Sequence, residues 1–165
     1  QINIVNLLDK EVREIVLVRP KSVKVFEEGI NQIERWKNAC PEVELYMGNE
    51  ISMYDQMKKS RLFLSMVCGT AQLESFSVNF PTILYWSKYH EIREEALPVF
   101  QKLIDVGILH QSKQTLANKI NEIYKDPINW WNQPEIQTAK NLFCNKFAYK
   151  SNNWISHWKK ELISL

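Results

Sequence analysis

The sequence predicts an α/β fold built on a parallel sheet, and three observations carry that prediction. Short apolar runs at Ile15–Val18, Val43–Met47, Leu62–Val67, Thr82–Trp86 and Ile108–His110 alternate with segments of helical periodicity. Proline and glycine mark the changes between them, at Pro20, Pro41, Gly48, Gly69 and Gly107. Past Asp126 the helical segments follow one another with no strand between. Strands that alternate with helices pair in parallel and are covered on both faces. Right-handed crossovers then make a doubly wound, Rossmann-like layer structure. Residues 1–125 form that domain in this reading, and residues 126–165 a helical extension packed on it.

The elements follow in order. Residues 3–14 read as helical or irregular and lead into the strand Ile15–Val18, which Pro20 stops. Val23, Phe26, Ile30, Ile33 and Trp36 give residues 22–38 a helical spacing despite Gly29. Val43–Met47 alternates like a strand and Gly48-Asn49 turns it. Ser52 is placed to cap a helix through Lys59, with Met53, Tyr54 and Met57 facing inward. The strand Leu62–Val67, a turn at Cys68-Gly69-Thr70, a short helix and the strand Thr82–Trp86 come next. Tyr89–Val106 is helical in spacing, and Pro98 inside it predicts a kink or two pieces. Gly107 ends that helix and Ile108–His110 is a short strand.

Ser112 then caps a helix with Leu116, Ile120, Ile123 and Tyr124 on one face. Asp126-Pro127 is an N-cap followed by proline at the first helical position. Pro134 opens a helix through about Phe147. Ser151–Asn153 begins a last one, whose Trp154, Trp158 and Leu162 share one stripe. That stripe is expected to be buried, or exposed wherever a further domain normally covers it.

Composition bounds the function. A chain of 165 residues suits one domain and can bury about two thirds of its unfolded surface. A net charge of +2 gives no case for nucleic acid. The most apolar stretch is broken by Gly69, Asn79 and Pro81, so no membrane span is expected. Three widely separated cysteines suit a reducing, cytoplasmic setting better than a disulfide framework. Peripheral attachment to the inner face of a membrane stays open. The chain opens on Gln1, which suggests a piece of a longer protein. His90-Glu91 starts like a zinc-protease motif, but Glu94 stands where the second histidine is needed. No metal site is expected.

Between Arg61 and Lys88 the only charged side chain is Glu74. An acid in so apolar a segment needs solvent, a hydrogen-bonded partner or a ligand. In an open parallel sheet, ligands sit where strands hand over to helices. Four such places are Arg19, the Met47–Ser52 loop, Cys68–Ala71 and Trp86–Glu91. Gly69 permits close backbone approach, and a helix starting at Thr70 offers free N–H groups to a phosphate. Glu74 follows Thr70 by four residues, on the same face, where it can accept hydrogen bonds from a ribose diol. Arg19 is placed to neutralise a diphosphate. Ser52 and its loop border the base in this reading, and His90 and Arg93 reach the phosphate or sugar of the same ligand. His110 and His157 read as structural or solvent-facing, and Trp130, Trp131, Trp154 and Trp158 as packing.

The pattern Gly69, Thr70, Leu73, Glu74, Asn79, Pro81, Thr82, Ile83 resembles the donor half of GT-B glycosyltransferases. The likeness extends through Trp86, Ile92–Ala96, Val106-Gly107-Ile108, Trp130-Trp131 and Gln137–Phe143. This longer set is similar to a family of surface-carbohydrate transferases first described in spirochaetes. It lacks the longer glycine-rich phosphate loop of better-known relatives. The resemblance implies a C-terminal domain that binds a nucleotide-diphosphate sugar as donor substrate, with no separate cofactor. It implies a carbohydrate or lipid-linked acceptor, and commonly the catalytic base, in an N-terminal domain outside this chain, against which the last helices of residues 126–165 also pack. No general base is named within it. Two other readings remain at this point: a nucleotide-sugar epimerase, for which Glu91, Glu94 and Glu95 are the available acids, and a non-catalytic flavodoxin- or receiver-like module.

Overall fold

A computed structural model describes residues 1–20, 32–46, 51–67, 69–87 and 89–164. Among these residues five parallel strands alternate with helices, but hydrogen bonding divides them into two small sheets. β1 (Leu17–Val18) pairs with β2 (Glu44–Leu45), and β3 (Phe63–Ser65), β4 (Thr82–Tyr85) and β5 (Leu109–His110) pair in that order. The expected strands are present and shorter than read. Glu14 and Ile15 form a turn rather than strand, and β1 has only two residues before Arg19 and Pro20.

Helices α1 (Ile2–Val5) and α2 (Lys10–Arg13) open the chain, and α1 packs against α7 (Lys113–Ile123). The helix expected over residues 22–38 is α3 (Gln32–Ala39) where it is described; residues 21–31 and the Gly48-Asn49 turn lie outside the described residues. In α4 (Met53–Lys58), Ser52 caps as expected, its hydroxyl accepting from the Asp55 amide at 3.1 Å. Met57 is buried, but Tyr54 is turned outward beside Lys58, whose ammonium lies 4.4 Å from its ring. The inward placing of Tyr54 is therefore corrected: a six-residue helix has room for one buried stripe, and Met57 fills it.

The segment before Val106 also differs from expectation. Residues 91–93 are irregular, Glu94–Ala96 form a single 3₁₀ turn, and α6 runs Leu97–Asp105. Pro98 sits in the first turn, where its missing N–H costs nothing, so no kink forms. Gly107 ends the helix at φ +75°, a left-handed conformation that glycine tolerates best.

The core gathers around β4, whose Ile83 and Leu84 are fully buried, with Leu103, Ile108, Leu116 and Phe143 among its neighbours. Helix α5 (Thr70–Ser77) joins it through Phe76. Helices α8 (Pro127–Trp131) and α9 (Pro134–Phe147) belong to the same cluster through Trp130, Trp131, Ile136 and Ala139. Asp126 caps α8 by accepting from Asn129 N–H at 3.0 Å. α9 packs across α5 and α6, and Phe76 meets Phe143 edge-on at 5.2 Å. A smaller cluster of Val5, Trp36, Cys40 and Val43 lies under β1 and β2, and Val16 touches both clusters. The last helix, α10 (Trp154–Ile163), contributes no buried residue.

Trp131 is 1% exposed and lies against Phe76 with ring centroids 5.8 Å apart. Truncating it removes a large ring and leaves a cavity. Trp131→Ala is expected to cost about 3–5 kcal/mol in urea denaturation, whereas Ile128→Ala, at an exposed position of the same helix, should cost under about 0.5 kcal/mol.

Candidate functional site

The three parallel strands β3, β4 and β5 end on one edge, so three connections leave the sheet together. They are the Val67–Thr70 connection into α5, the segment after Trp86, and the residues after His110. Cys68, part of the expected turn, lies outside the described residues.

Gly69 is the N-cap of α5 and has no side chain to occupy its first amides. Its φ of −162° is extended backbone that any residue adopts. A Cβ there would meet nothing within 4 Å, so neither strain nor internal packing demands the glycine. The space beside it is open. Thr70 is exposed as the first helical residue, and Glu74 is exposed one turn further on. Among the described residues the Glu74 carboxylate has no hydrogen bond or ion pair. Its backbone carbonyl accepts from the Ser77 hydroxyl at 2.8 Å.

His90 and Arg93 stand at the end of β4. The His90 ring lies 6.2 Å from the Trp86 ring at an interplanar angle of 26°, and its Nδ1 is 3.4 Å from Ser87 Oγ. Arg93 is 88% exposed at its side chain and approaches Glu95 only at 4.0 Å. Glu91 and Glu94 are exposed as well. Arg19 and Ser52 form a separate group. Arg19 Nη1 donates to Gln56 Oε1 of α4 at 2.8 Å, with its guanidinium 5.9 Å from the Tyr46 ring. Ser52 Oγ donates to Asp55 Oδ2 at 2.7 Å. The carboxyl of Asp55 is held below the usual carboxylate range, chiefly by that hydroxyl. No hydrogen bond among the described residues joins this pair to Glu74 or His90.

Two buried groups escaped the sequence reading. Gln72 is fully buried, and neither its Oε1 nor its Nε2 has a hydrogen-bond partner among the described residues. The indole Nε1 of Trp86, 3% exposed, is likewise unpartnered. Gln72 precedes Phe76 by four residues and so shares its buried face, a signal that was present in the sequence. His110, at the end of β5, is buried as expected of a structural histidine. Its Nε2 lies 3.0 Å from the Gly107 carbonyl, which can only accept, so Nε2 carries the proton. Burial, joined by the Lys119 charge, holds this imidazole below its ordinary pKa, and the bond to Gly107 opposes the shift. Among the described residues no three His, Cys, Asp or Glu side chains converge in a way that would hold a metal ion.

The model of the LIC12162 family transferases matches residues 1–162. The chain belongs to this transferase family. Its family is thus that of an enzyme, and the match spans both the sheet edge carrying Gly69 and Glu74 and the helices from α8 to α10. No curated protein and no solved structure is found to be similar to the chain.

Two predictions follow from the buried polar groups. A buried amide without a partner costs about 1–3 kcal/mol, so Gln72→Met should raise stability by roughly 1 kcal/mol in urea denaturation. A loss of that size would mean the amide is satisfied. For His110 the folded pKa lies below the ordinary value of 6.5. As pH falls through that value the unfolded chain binds a proton that the folded one does not, so stability falls. His110→Gln should flatten this dependence, read as the melting temperature between neutral pH and pH about 5.

Proposed function

We propose that this chain is the C-terminal, nucleotide-sugar-binding part of a GT-B glycosyltransferase acting in surface polysaccharide or glycoconjugate synthesis. The observation that carries the reading is the start of α5: an uncapped helix N-terminus with open space at Gly69, and an unpaired carboxylate one turn further on at Glu74. Helix amides attract an anion, so the diphosphate lies over Gly69 and Thr70. Glu74 accepts hydrogen bonds from the ribose hydroxyls. His90 and Arg93, exposed at the end of the neighbouring strand, face the donor from the side. Arg19 and Ser52 line the far wall, beside the separate β1–β2 pair.

The transfer this site supports is electrostatic. Cleavage of the sugar–phosphate bond puts negative charge on the departing nucleoside diphosphate, and the amides and cations of this chain stabilise it. The acceptor, carbohydrate or lipid-linked, and the base that takes its proton belong to an N-terminal domain. This chain alone therefore binds the donor and does not turn it over.

The test is a thermal-shift titration with uridine, cytidine, guanosine and thymidine diphosphates. A ligand at about ten times its Kd adds about 1.4 kcal/mol of stability. One nucleotide should raise the melting temperature accordingly, and Glu74→Ala should remove most of that rise without lowering the melting temperature of the free protein. A full shift in Glu74→Ala clears Glu74 of the ribose contact. No shift with any nucleotide removes the donor site.

A further inference from the structure

The last helix stands off the core. Every residue from Asn152 to Ser164 is exposed, and in α10 Trp154, Ile155, Trp158 and Leu162 are 60%, 65%, 63% and 63% exposed. On a helix these four fall within one stripe about 100° wide. Tyr149, 67% exposed, carries the aromatic surface into the preceding segment, its ring stacked 6.4 Å from that of His157. An isolated helix of ten residues is marginal in water, and an apolar stripe on it is a surface for something else to cover.

Charge identifies the cover. Residues 142–165 hold four lysines, Lys146, Lys150, Lys159 and Lys160, against Glu161 alone. A chain of net charge +2 thus concentrates +3 in its tail and leaves −1 on all the rest. Lys146 is bound to the Glu95 carbonyl, but Lys150, Lys159 and Lys160 are exposed and make no ion pair among the described residues. By helical geometry Lys159 flanks the stripe on the Ile155 side, and Glu161 lies on the opposite border. Tryptophan is the side chain best suited to the boundary between headgroups and acyl chains, being large, apolar and able to donate one hydrogen bond.

We propose that this tail docks on an anionic lipid surface. α10 lies flat in the headgroup layer, with Trp154, Trp158 and Leu162 sunk toward the acyl chains and Lys159, at the border of the stripe, among the phosphates. At about 1.5 Å per residue it is far too short to cross, and no helix among the described residues is long and apolar enough to do so. The inference is independent of the donor site on α5.

Sedimentation of the protein with phosphatidylcholine vesicles, with and without phosphatidylglycerol, tests it. Binding is expected only to the phosphatidylglycerol vesicles, with a blue shift of tryptophan fluorescence and a loss at high salt. Lys159→Gln should weaken it about fivefold, and Lys160→Gln, on the face turned away from the stripe, by less. The Trp154→Ser/Trp158→Ser double variant should abolish it while melting as the parent protein does, since neither ring enters the core. Failure to bind anionic vesicles overturns the proposal, as does equal binding to neutral ones. Self-association that the same double variant abolishes, without vesicle binding, assigns the stripe to a second copy and overturns it too.

Discussion

The placement of the candidate site depends on a contact made far from it, between Trp131 and the turn that follows α5. The Trp131 Nε1–H donates to both the carbonyl and the side-chain oxygen of Asn79, at 3.0 and 3.1 Å. Asn79 holds φ +57°, a left-handed conformation that asparagine tolerates better than most residues. One residue thus reverses the chain from α5 into β4 and also accepts the indole proton. The Phe80 amide closes the same turn on the Ser75 carbonyl at 2.9 Å. With Phe76 held between Trp131 and Phe143, the C-terminal half of α5 has a fixed seat on the core. The direction in which its N-terminus points then follows from eight residues of regular helix.

Where local chemistry decides, the sequence was readable. Asp126-Pro127 and Pro134 mark the starts of α8 and α9 because a capping carboxylate and a proline at the first turn each have one comfortable place in a helix. Gly107 ends α6 for an equally local reason. The misreadings fall where packing competes with periodicity. Ile92 and Ala96 sit at helical spacing, yet only Ala96 is buried, and the chain between Tyr89 and Arg93 takes no helical form. Pro98 falls in the first turn because the helix starts at Leu97 and not at Tyr89. The division into two sheets was not legible, since an apolar run states that a strand is covered and not which strand lies beside it.

The candidate site was legible as a pattern but not as a geometry. Gly69, Thr70 and Glu74 share a helix, so their spacing alone groups them. Arg19 and Ser52 lie near the ends of other strands, and both are already engaged, one with Gln56 and the other with Asp55. Such contacts are exposed and cost little to exchange for a ligand. Glu74 and Arg93 begin with less to give up. A glutamine in a helix carries no signal of its own until its burial is known, as for Gln72. Its orphaned amide is visible only in three dimensions.

The first turn of α5 is the least secured part of the helix, and the reasons are chemical. Gly69 supplies no capping oxygen, no acid stands in the first turn to complement the helix dipole, and Gln72 is buried without a partner. Each omission forgoes a contribution of about 0.5–2 kcal/mol that a serine cap, an aspartate or a leucine would make. Downstream, Phe76 and Trp131 hold the helix firmly enough to carry that deficit. An anion placed over Gly69 would supply what the sequence omits, satisfying the free amides and opposing the dipole. Binding there and the order of that turn are then one equilibrium. The anchor at Phe76 lets the opening turn stay deficient without losing the helix.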